Sequence, residues 1–299
     1  MWLILAFFSA VLLGLYEVFK KMALSGNAVI PILFLNTLFC SLIFLPAILL
    51  SRLQPDLMEG SLFYVPRADF TTHLYIMAKS ALVLLSWIFA YFAMKHLPIT
   101  IAGTIKASQP VLTLIGALLL FGERLNAYQW IGVIVSVVSF FLLSSAGKKE
   151  GIRFSHDRWI YFIVLATLTG ALSALYDKYL LTHGFDRMVV QVWYTYYQMV
   201  LMGITLLFWF RMREETTPFQ WRWSIFFISL FLVAADFVYF YALSYPEAMI
   251  SLVSMARRSG VVVSFLFGVL LFHEKNIRSK AIDLLLVLIG MYFLYLGTR

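Results

Sequence analysis

Charge is scarce in this sequence. Aspartate, glutamate, lysine and arginine account for 13% of the 299 residues, whereas hydrophobic residues account for 62%. Soluble domains contain about 25% charged and about 45–50% apolar residues. A water-soluble protein of this length could not bury so many apolar side chains in its core, so we expect most of the surface to face lipid.

Cysteine is nearly absent, because Cys40 is the only one and it lies in an apolar run. An internal disulfide and a cysteine-based metal site are therefore excluded. The five histidines are dispersed along the chain without the spacing of metal ligands. There is also no Gly-rich loop with Lys followed by Ser or Thr, the pattern that holds nucleotide phosphates. The sequence predicts no cofactor, no metal, no enzymatic activity and no ATP-driven transport.

Apolar stretches fill nearly the whole chain. A membrane-spanning helix needs about 20 mainly apolar residues. Ten stretches fit that length: residues 2–20, 29–50, 72–94, 98–121, 127–146, 158–181, 188–210, 223–243, 247–272 and 279–297. The first stretch has no basic region before it and no clear cleavage site, so we interpret it as a retained helix. The predicted fold class is an all-α membrane protein with ten transmembrane helices.

The two halves of the chain look alike. Each contains Leu-Tyr-acid, then a Tyr-Phe pair and a proline, then an apolar run ending in Leu-Leu-Phe, one residue, Glu and a base. The copies are Leu15–Glu17, Tyr91–Phe92, Pro98 and Leu119–Arg124, and Leu175–Asp177, Tyr239–Phe240, Pro246 and Leu270–Lys275. Because five helices is an odd number, the second copy must enter from the opposite side of the membrane, which predicts inverted repeats. We expect repeats at 1–146 and 158–299, joined by a polar hinge at 147–157.

Several of these residues carry a family resemblance. Pro110, the run from Leu119 to Leu125 and the stretch Gln129–Gly132 resemble the EamA family of the drug/metabolite transporter superfamily. The second copy departs from that pattern, since Val261 stands where Pro110 stands and Arg278-Ser279-Lys280 replaces Gln129–Gly132. The resemblance implies a multi-pass carrier of the bacterial inner membrane that works by alternating access and often exports small metabolites.

Basic residues inside the predicted helices point to a charged cavity. Lys106 and Arg257 occupy equivalent positions of the two halves, and such residues usually face a cavity or a partner in the membrane. We expect both, with the adjacent Arg258, to surround a central cavity with positive charge. The alternative is that they form buried ion pairs that only fix the packing. Asp236 has no acidic equivalent, and we favour it as the counter-ion of Arg257 or Arg258 over a role in proton coupling.

Two further acids are equivalent to each other, namely Glu17 and Asp177. In one interpretation Glu17 pairs with Lys20 or Lys21 near the interface, and in the other the repeated acids take part in charge pairing or coupling during transport. Lys79 is predicted near a helix end, where its side chain reaches the lipid headgroups.

Polar and aromatic residues supply a second set of candidates. Gln191, Tyr194 and Gln198 share one helix face, which suits a cavity wall, although aromatic residues near a helix end also form interfacial belts. With Lys106, Arg257 and Arg258, the predicted substrate-binding residues are Gln109, Tyr194, Tyr197, Gln198, Asn36 and Trp87.

The predicted function is secondary transport of a small polar, anionic or zwitterionic metabolite, driven by a proton or a counter-substrate. The alternative is a carrier or flippase for a lipid-linked phosphate, which the basic residues would also suit. The expected partners are the substrate and the lipid bilayer. Nucleic acid is not expected, because the net charge of +8 is spread over short gaps. The oligomeric state stays open, with a monomer as one option.

Membrane orientation is also open. More basic residues follow the odd-numbered segments than the even-numbered ones, which by the positive-inside rule places both termini outside the cytoplasm. The family resemblance implies cytoplasmic termini. The two lines of reasoning agree only that both termini lie on the same side.

Overall fold

The computed structural model describes residues 2–121, 126–128, 130–132, 134–135, 138, 156–212, 217–245, 248, 253, 256–257, 259–272 and 277–297. Helices are the only regular secondary structure in these ranges. They are α1 Trp2–Leu24, α2 Val29–Leu53, α3 Pro55–Met58, α4 Phe70–His96, α5 Ile99–Ala107, α6 Gln109–Phe121, α7 Arg158–Thr182, α8 Arg187–Met212, α9 Ser224–Leu243, α10 Val261–Leu270 and α11 Ile277–Leu296.

The long helices follow the predicted segments to within a few residues. Four of them are long and apolar enough to cross a membrane, namely α2, α4, α7 and α9. The predicted segment 127–146 and the first part of 247–272 fall largely outside the described ranges, so the count of ten stays a prediction. The short helix α3 lies in the gap at 51–71, where the sequence indicated no element.

The predicted helix 98–121 is in fact broken, and Pro110 explains the break. Proline has no N–H, so it cannot donate to the carbonyl of Lys106 as a continuous α-helix requires. The chain instead makes shorter-range bonds from Ser108 N to Ile105 O (3.1 Å) and from Val111 N to Ser108 O (3.1 Å). Pro110 falls in the first turn of α6, where a missing N–H costs nothing. The break leaves Lys106 in the last turn of α5 and Gln109 at the start of α6.

Aspartate caps fix the beginnings of α4 and α7. The backbone N–H and the hydroxyl of Thr72 both donate to Asp69 before α4, and these hydrogen bonds lower the pKa of Asp69. Asp157 accepts from the N–H of Trp159 at 2.8 Å at the start of α7. Both caps satisfy N–H groups that a helix cannot satisfy by itself.

Each of the tightest helix pairs joins one half of the chain to the other. Ser9 Oγ on α1 donates to the carbonyl of Ala235 on α9 at 2.7 Å, and Phe19 stacks on Phe231. In the same way, Ser86 Oγ on α4 donates to the carbonyl of Ala166 on α7 at 2.8 Å. The two predicted repeats are therefore interlocked rather than side by side.

Two groups of helices follow from these contacts. Backbone contact extends the α1–α9 pair to α10: a Cβ added to Gly14 would lie 2.6 Å from the carbonyl oxygen of Gly260. Gln109 of α6 lies against Gly170 of α7, so α6 belongs with the α4–α7 pair, and α5, which precedes it, contacts both α7 and α10. We call α1, α9, α10 and Arg257 the α1 group, and α4, α5, α6 and α7 the α4 group.

The two ends of the bundle are named after α1. At the Leu24 end, Lys21 Nζ donates to the carbonyls of Met94 (2.8 Å) and Leu97 (2.6 Å), and His96 stacks on Trp159. At the opposite Trp2 end, Tyr75 at the start of α4 packs on Phe185 between α7 and α8, and Arg187 at the start of α8 lies over the ring of Tyr241 of α9.

The close approach of α1 to the turn before α10 is testable. A methyl group on Gly260 would collide with the carbonyl of Ala10, so Gly260→Ala should force the helices apart. We expect a loss of about 1–3 kcal/mol, the usual effect of overpacking, measured as a lower thermal midpoint of the purified protein. Gly203→Ala is the matched control, because its new methyl would lie 3.6 Å from Phe34, an ordinary contact. Equal midpoints for the two variants would contradict the packing.

Candidate functional site

A cavity of about 120 Å³ lies between the two helix groups. Both groups and α8 contribute to its wall. Seven of the residues predicted from sequence line it: Trp87, Lys106, Gln109, Asp177, Tyr194, Asp236 and Arg257. Lys106 in the last turn of α5 and Gln109 at the start of α6 both reach it.

Other predicted residues lie elsewhere. Asn36 packs in the seam between α2 and α9, where its side-chain oxygen accepts from Ser229 Oγ at 3.0 Å. The hydroxyl of Tyr197 lies 2.9 Å from His73 Nδ1. Gln198 is buried, and no hydrogen bond to its amide is found in the described part of the chain. None of these three side chains lines the cavity, whereas Tyr194 of the predicted polar face does. Arg258 falls outside the described residues.

Near the Leu24 end, two lysines share one carboxylate. Glu17 pairs with Lys106 through one oxygen and with Lys20 through the other, at 2.5 Å for Lys20. Lys20 has no solvent exposure and lies over the rings of Tyr16 (4.5 Å) and Tyr91 (5.2 Å). The Lys106 side chain keeps 17% exposure and faces the cavity. We call Glu17, Lys20 and Lys106 the Glu17 cluster.

Nearer the Trp2 end, two ion pairs lie side by side. Lys79 of α4 pairs with Asp177 of α7, and Arg257 pairs with Asp236 of α9. All four side chains line the cavity. At a rise of about 1.5 Å per residue, Asp236 lies roughly 10 Å from the end of its helix, well inside the membrane. Charges at this depth need partners, and each of the four has one.

Tyr194 of α8 links these two ion pairs. Its hydroxyl donates to Asp236 Oδ2 at 2.5 Å, while its ring lies under the ammonium group of Lys79 at 4.8 Å. A cation over an aromatic face gains about 0.5–2 kcal/mol. The same tyrosine therefore stabilises the acid of one pair and the base of the other.

Tyr239 of α9 also links the two ion pairs, but it contacts the acid of the first pair and the base of the second. Its hydroxyl donates to Asp177 Oδ2 at 3.5 Å, and its ring lies under the guanidinium of Arg257 at 4.2 Å. The contacts close on themselves, and we call the set the ionic ring: Lys79, Asp177, Tyr239, Arg257, Asp236 and Tyr194.

Sequence reasoning missed part of this arrangement. The prediction that Lys79 reaches the headgroups is wrong, because α4 begins at Phe70 and Lys79 is buried more than two turns inside it, with 2% exposure. Lys79 has no basic equivalent in the second half, so the repeat gave no signal for it. Tyr239 stood out only as part of the repeated Tyr-Phe pair. Lys20, one of the partners considered for Glu17, does pair with it.

The charges of the described clusters do not cancel. With all seven groups ionised, four cations (Lys20, Lys79, Lys106 and Arg257) face three carboxylates (Glu17, Asp177 and Asp236), which leaves one positive charge. The excess belongs to the Glu17 cluster, where two ammonium groups share one carboxylate. Because Lys20 is enclosed by tyrosines, the cavity meets this excess at Lys106.

The ion pair between Lys79 and Asp177 yields a stability prediction. Removing one partner of a buried pair costs about 3–5 kcal/mol, because the other charge stays buried alone, whereas removing both can be nearly neutral. Lys79→Met should therefore lower the thermal midpoint strongly, and Lys79→Met with Asp177→Asn should recover much of the loss. Lys95→Met, at a lysine that bonds Thr217 at the end of α4, serves as the control. A double variant no better than the single one would refute the pairing.

Comparisons with known proteins agree with this architecture. The model of the EamA-like transporter family matches residues 1–145 and again 157–296, which shows a two-repeat layout over nearly the whole chain. One solved crystal structure, described only as that of a protein, is 15% identical, with a TM-score of 0.68 over 99% of this chain and 98% of that chain. This likeness shows the fold alone. No curated protein matches the chain.

Proposed function

This chain belongs to the EamA-like transporter family and is thus a multi-pass membrane transporter. We propose that it carries a small anionic or zwitterionic metabolite through the central cavity. Alternating access between the two ends would move the substrate, and a proton or a counter-substrate would supply the energy. We further propose that it acts as an exporter in the bacterial inner membrane.

The excess cation of the Glu17 cluster is the observation that carries this proposal. Lys106 faces the cavity, and in the described part of the chain it shares its carboxylate partner, Glu17, with Lys20. An anionic group beside Lys106 would balance the charge of the site. Glu17 would keep Lys20 at 2.5 Å, so Lys106 can turn to a substrate without leaving a buried carboxylate alone.

The rest of the cavity wall suits a small polar ligand. Gln109 offers an amide one helix turn from Lys106, and Trp87 and Tyr16 offer aromatic faces. Small pockets of this kind combine apolar walls with a few polar groups that orient the ligand. The carboxylates of the ionic ring could receive the ammonium group of a zwitterion, which is why both substrate classes are kept.

Ligand binding tests the role of Lys106. Purified protein is screened by thermal unfolding against monocarboxylates, amino acids, phosphate esters, a lipid-linked phosphate and neutral sugars. A ligand at about 100 times its dissociation constant adds about 2.7 kcal/mol to stability. We expect an anion or zwitterion to raise the midpoint of the parent protein but not of Lys106→Met, and Lys106→Met to lose uptake of that compound in proteoliposomes.

Lys95→Met is the matched control, because Lys95 lies on α4 but does not line the cavity. It should keep both the thermal shift and the uptake. Stabilisation by neutral sugars only, or an unchanged shift in Lys106→Met, would contradict an anion site at Lys106. A shift with the lipid-linked phosphate alone would replace the soluble metabolite by a lipid substrate.

The role of Asp236 can be separated from proton coupling. Asp236 accepts from both Arg257 and Tyr194, so we propose that it serves as a counter-ion. The pH dependence of uptake by Asp236→Asn should then match that of the parent, even where the overall rate falls. Loss of the pH dependence in this variant would instead identify Asp236 as the proton-carrying group.

A further inference from the structure

Equivalent residues of the two halves are paired differently in this structure. Glu17 corresponds to Asp177, and Lys106 corresponds to Arg257. Lys106 pairs with Glu17, so the equivalent pair in the second half would be Arg257 with Asp177. That pair is not formed, because Arg257 binds Asp236 and Asp177 binds Lys79.

The two possible pairs differ in what they connect. Lys106 and Glu17 join the α4 group to the α1 group, near the Leu24 end. Arg257 and Asp177 would join the same two groups near the Trp2 end. The ion pairs now present in the ionic ring stay within a group, and the contacts that cross between the groups there include the hydrogen bond from Tyr239 to Asp177 and the packing of Lys79 over the ring of Phe240. The bundle thus has an ionic bridge across one end and an unformed equivalent bridge at the other.

The inverted repeats relate this difference in pairing to the two conformations of a transport cycle. When two such copies exchange their conformations, the cavity opens to the opposite side of the membrane. Resting on the alternating-access transport proposed above, we propose that Arg257 exchanges carboxylates during the cycle. It binds Asp236 while Lys106 holds Glu17, and it binds Asp177 once Lys106 has left Glu17 and the Leu24 end has opened.

The distances allow this exchange without a long movement. Arg257 lies over the ring of Tyr239 at 4.2 Å, and the hydroxyl of that tyrosine is already 3.5 Å from Asp177. Asp177, Asp236 and Arg257 line one cavity. A guanidinium presents several donors in a fixed fork, so Arg257 can form the second contact before it gives up the first.

No carboxylate is left alone at either stage. When Arg257 moves, Asp236 keeps the hydroxyl of Tyr194 at 2.5 Å. When Lys106 moves, Glu17 keeps Lys20 at 2.5 Å. Because an unpartnered charge in the membrane interior is the costly outcome, these second partners lower the free-energy cost of moving Arg257 and Lys106.

Neutral pair variants test the exchange without stranding a charge. Glu17→Gln with Lys106→Met removes the bridge at the Leu24 end, and should shift the conformational ratio roughly tenfold, or about 1.4 kcal/mol, toward a state open at that end. Lys79→Met with Asp177→Asn removes the second partner of Arg257 and should disfavour that state. Combining all four substitutions should cancel the shift of the first variant.

Distances between spin labels in lipid nanodiscs provide the measurement. Cysteines replace exposed residues on the two groups, in a Cys40→Ala background, since Cys40 is the only cysteine. Ser25→Cys with His156→Cys reports on the Leu24 end, and Thr182→Cys with Ser244→Cys reports on the Trp2 end. In Glu17→Gln with Lys106→Met, the first distance should lengthen while the second shortens.

Two results would overturn the proposal. Either both variant pairs shift the distances in the same direction, or the fourfold variant stays as open at the Leu24 end as the first pair. Gly203→Ala, whose new methyl would make only an ordinary contact with Phe34, should leave both distances unchanged. Because the labels report without any substrate, a negative outcome here is distinct from failure to bind or transport an anion, which the thermal-shift and uptake assays detect separately.

Discussion

Charge buried in hydrocarbon is the constraint on which the rest of this structure depends. The three carboxylates of the described clusters, Glu17, Asp177 and Asp236, lie inside membrane helices, and each costs several kcal/mol unless it has a partner. All three are paired with a base on another helix, and Glu17 also holds a lysine of its own helix. Each interhelical ion pair requires its two helices to be neighbours. The ion pairs therefore also determine how the helices are arranged around the cavity.

Interlocked halves follow from the same arrangement. The helix α1 packs on α9 and the helix α4 packs on α7, so each group contains parts of both halves of the chain. A movement of one group against the other is therefore not a movement of one half against the other. It changes contacts within each half, which is why equivalent residues such as Glu17 and Asp177 can hold different partners at the same time.

The sequence predicts the long helices well, because the length of an apolar run in lipid leaves few alternatives. Lys106 and Arg257 could be singled out because they recur in both halves. Lys79 could not, because its partner comes from a contact between helices that neither segment reveals. Gln198 was predicted to bind substrate but does not line the cavity. A polar helix face has the same sequence pattern whether it lines a cavity or packs between helices. Pro110 also breaks the predicted helix 98–121, but in the sequence it was considered only as part of the family pattern.

Membrane potential should act differently on the empty and the loaded carrier. With every group ionised, the described clusters carry one net positive charge, which a bound monoanion would cancel. Moving a full elementary charge through the field is worth about 2.3 kcal/mol per 100 mV. The voltage would then have almost no effect on the conformational change of the loaded carrier. It would act on the return of the empty carrier, whose site is charged. The voltage dependence of transport would then reside in the half of the cycle in which nothing is carried.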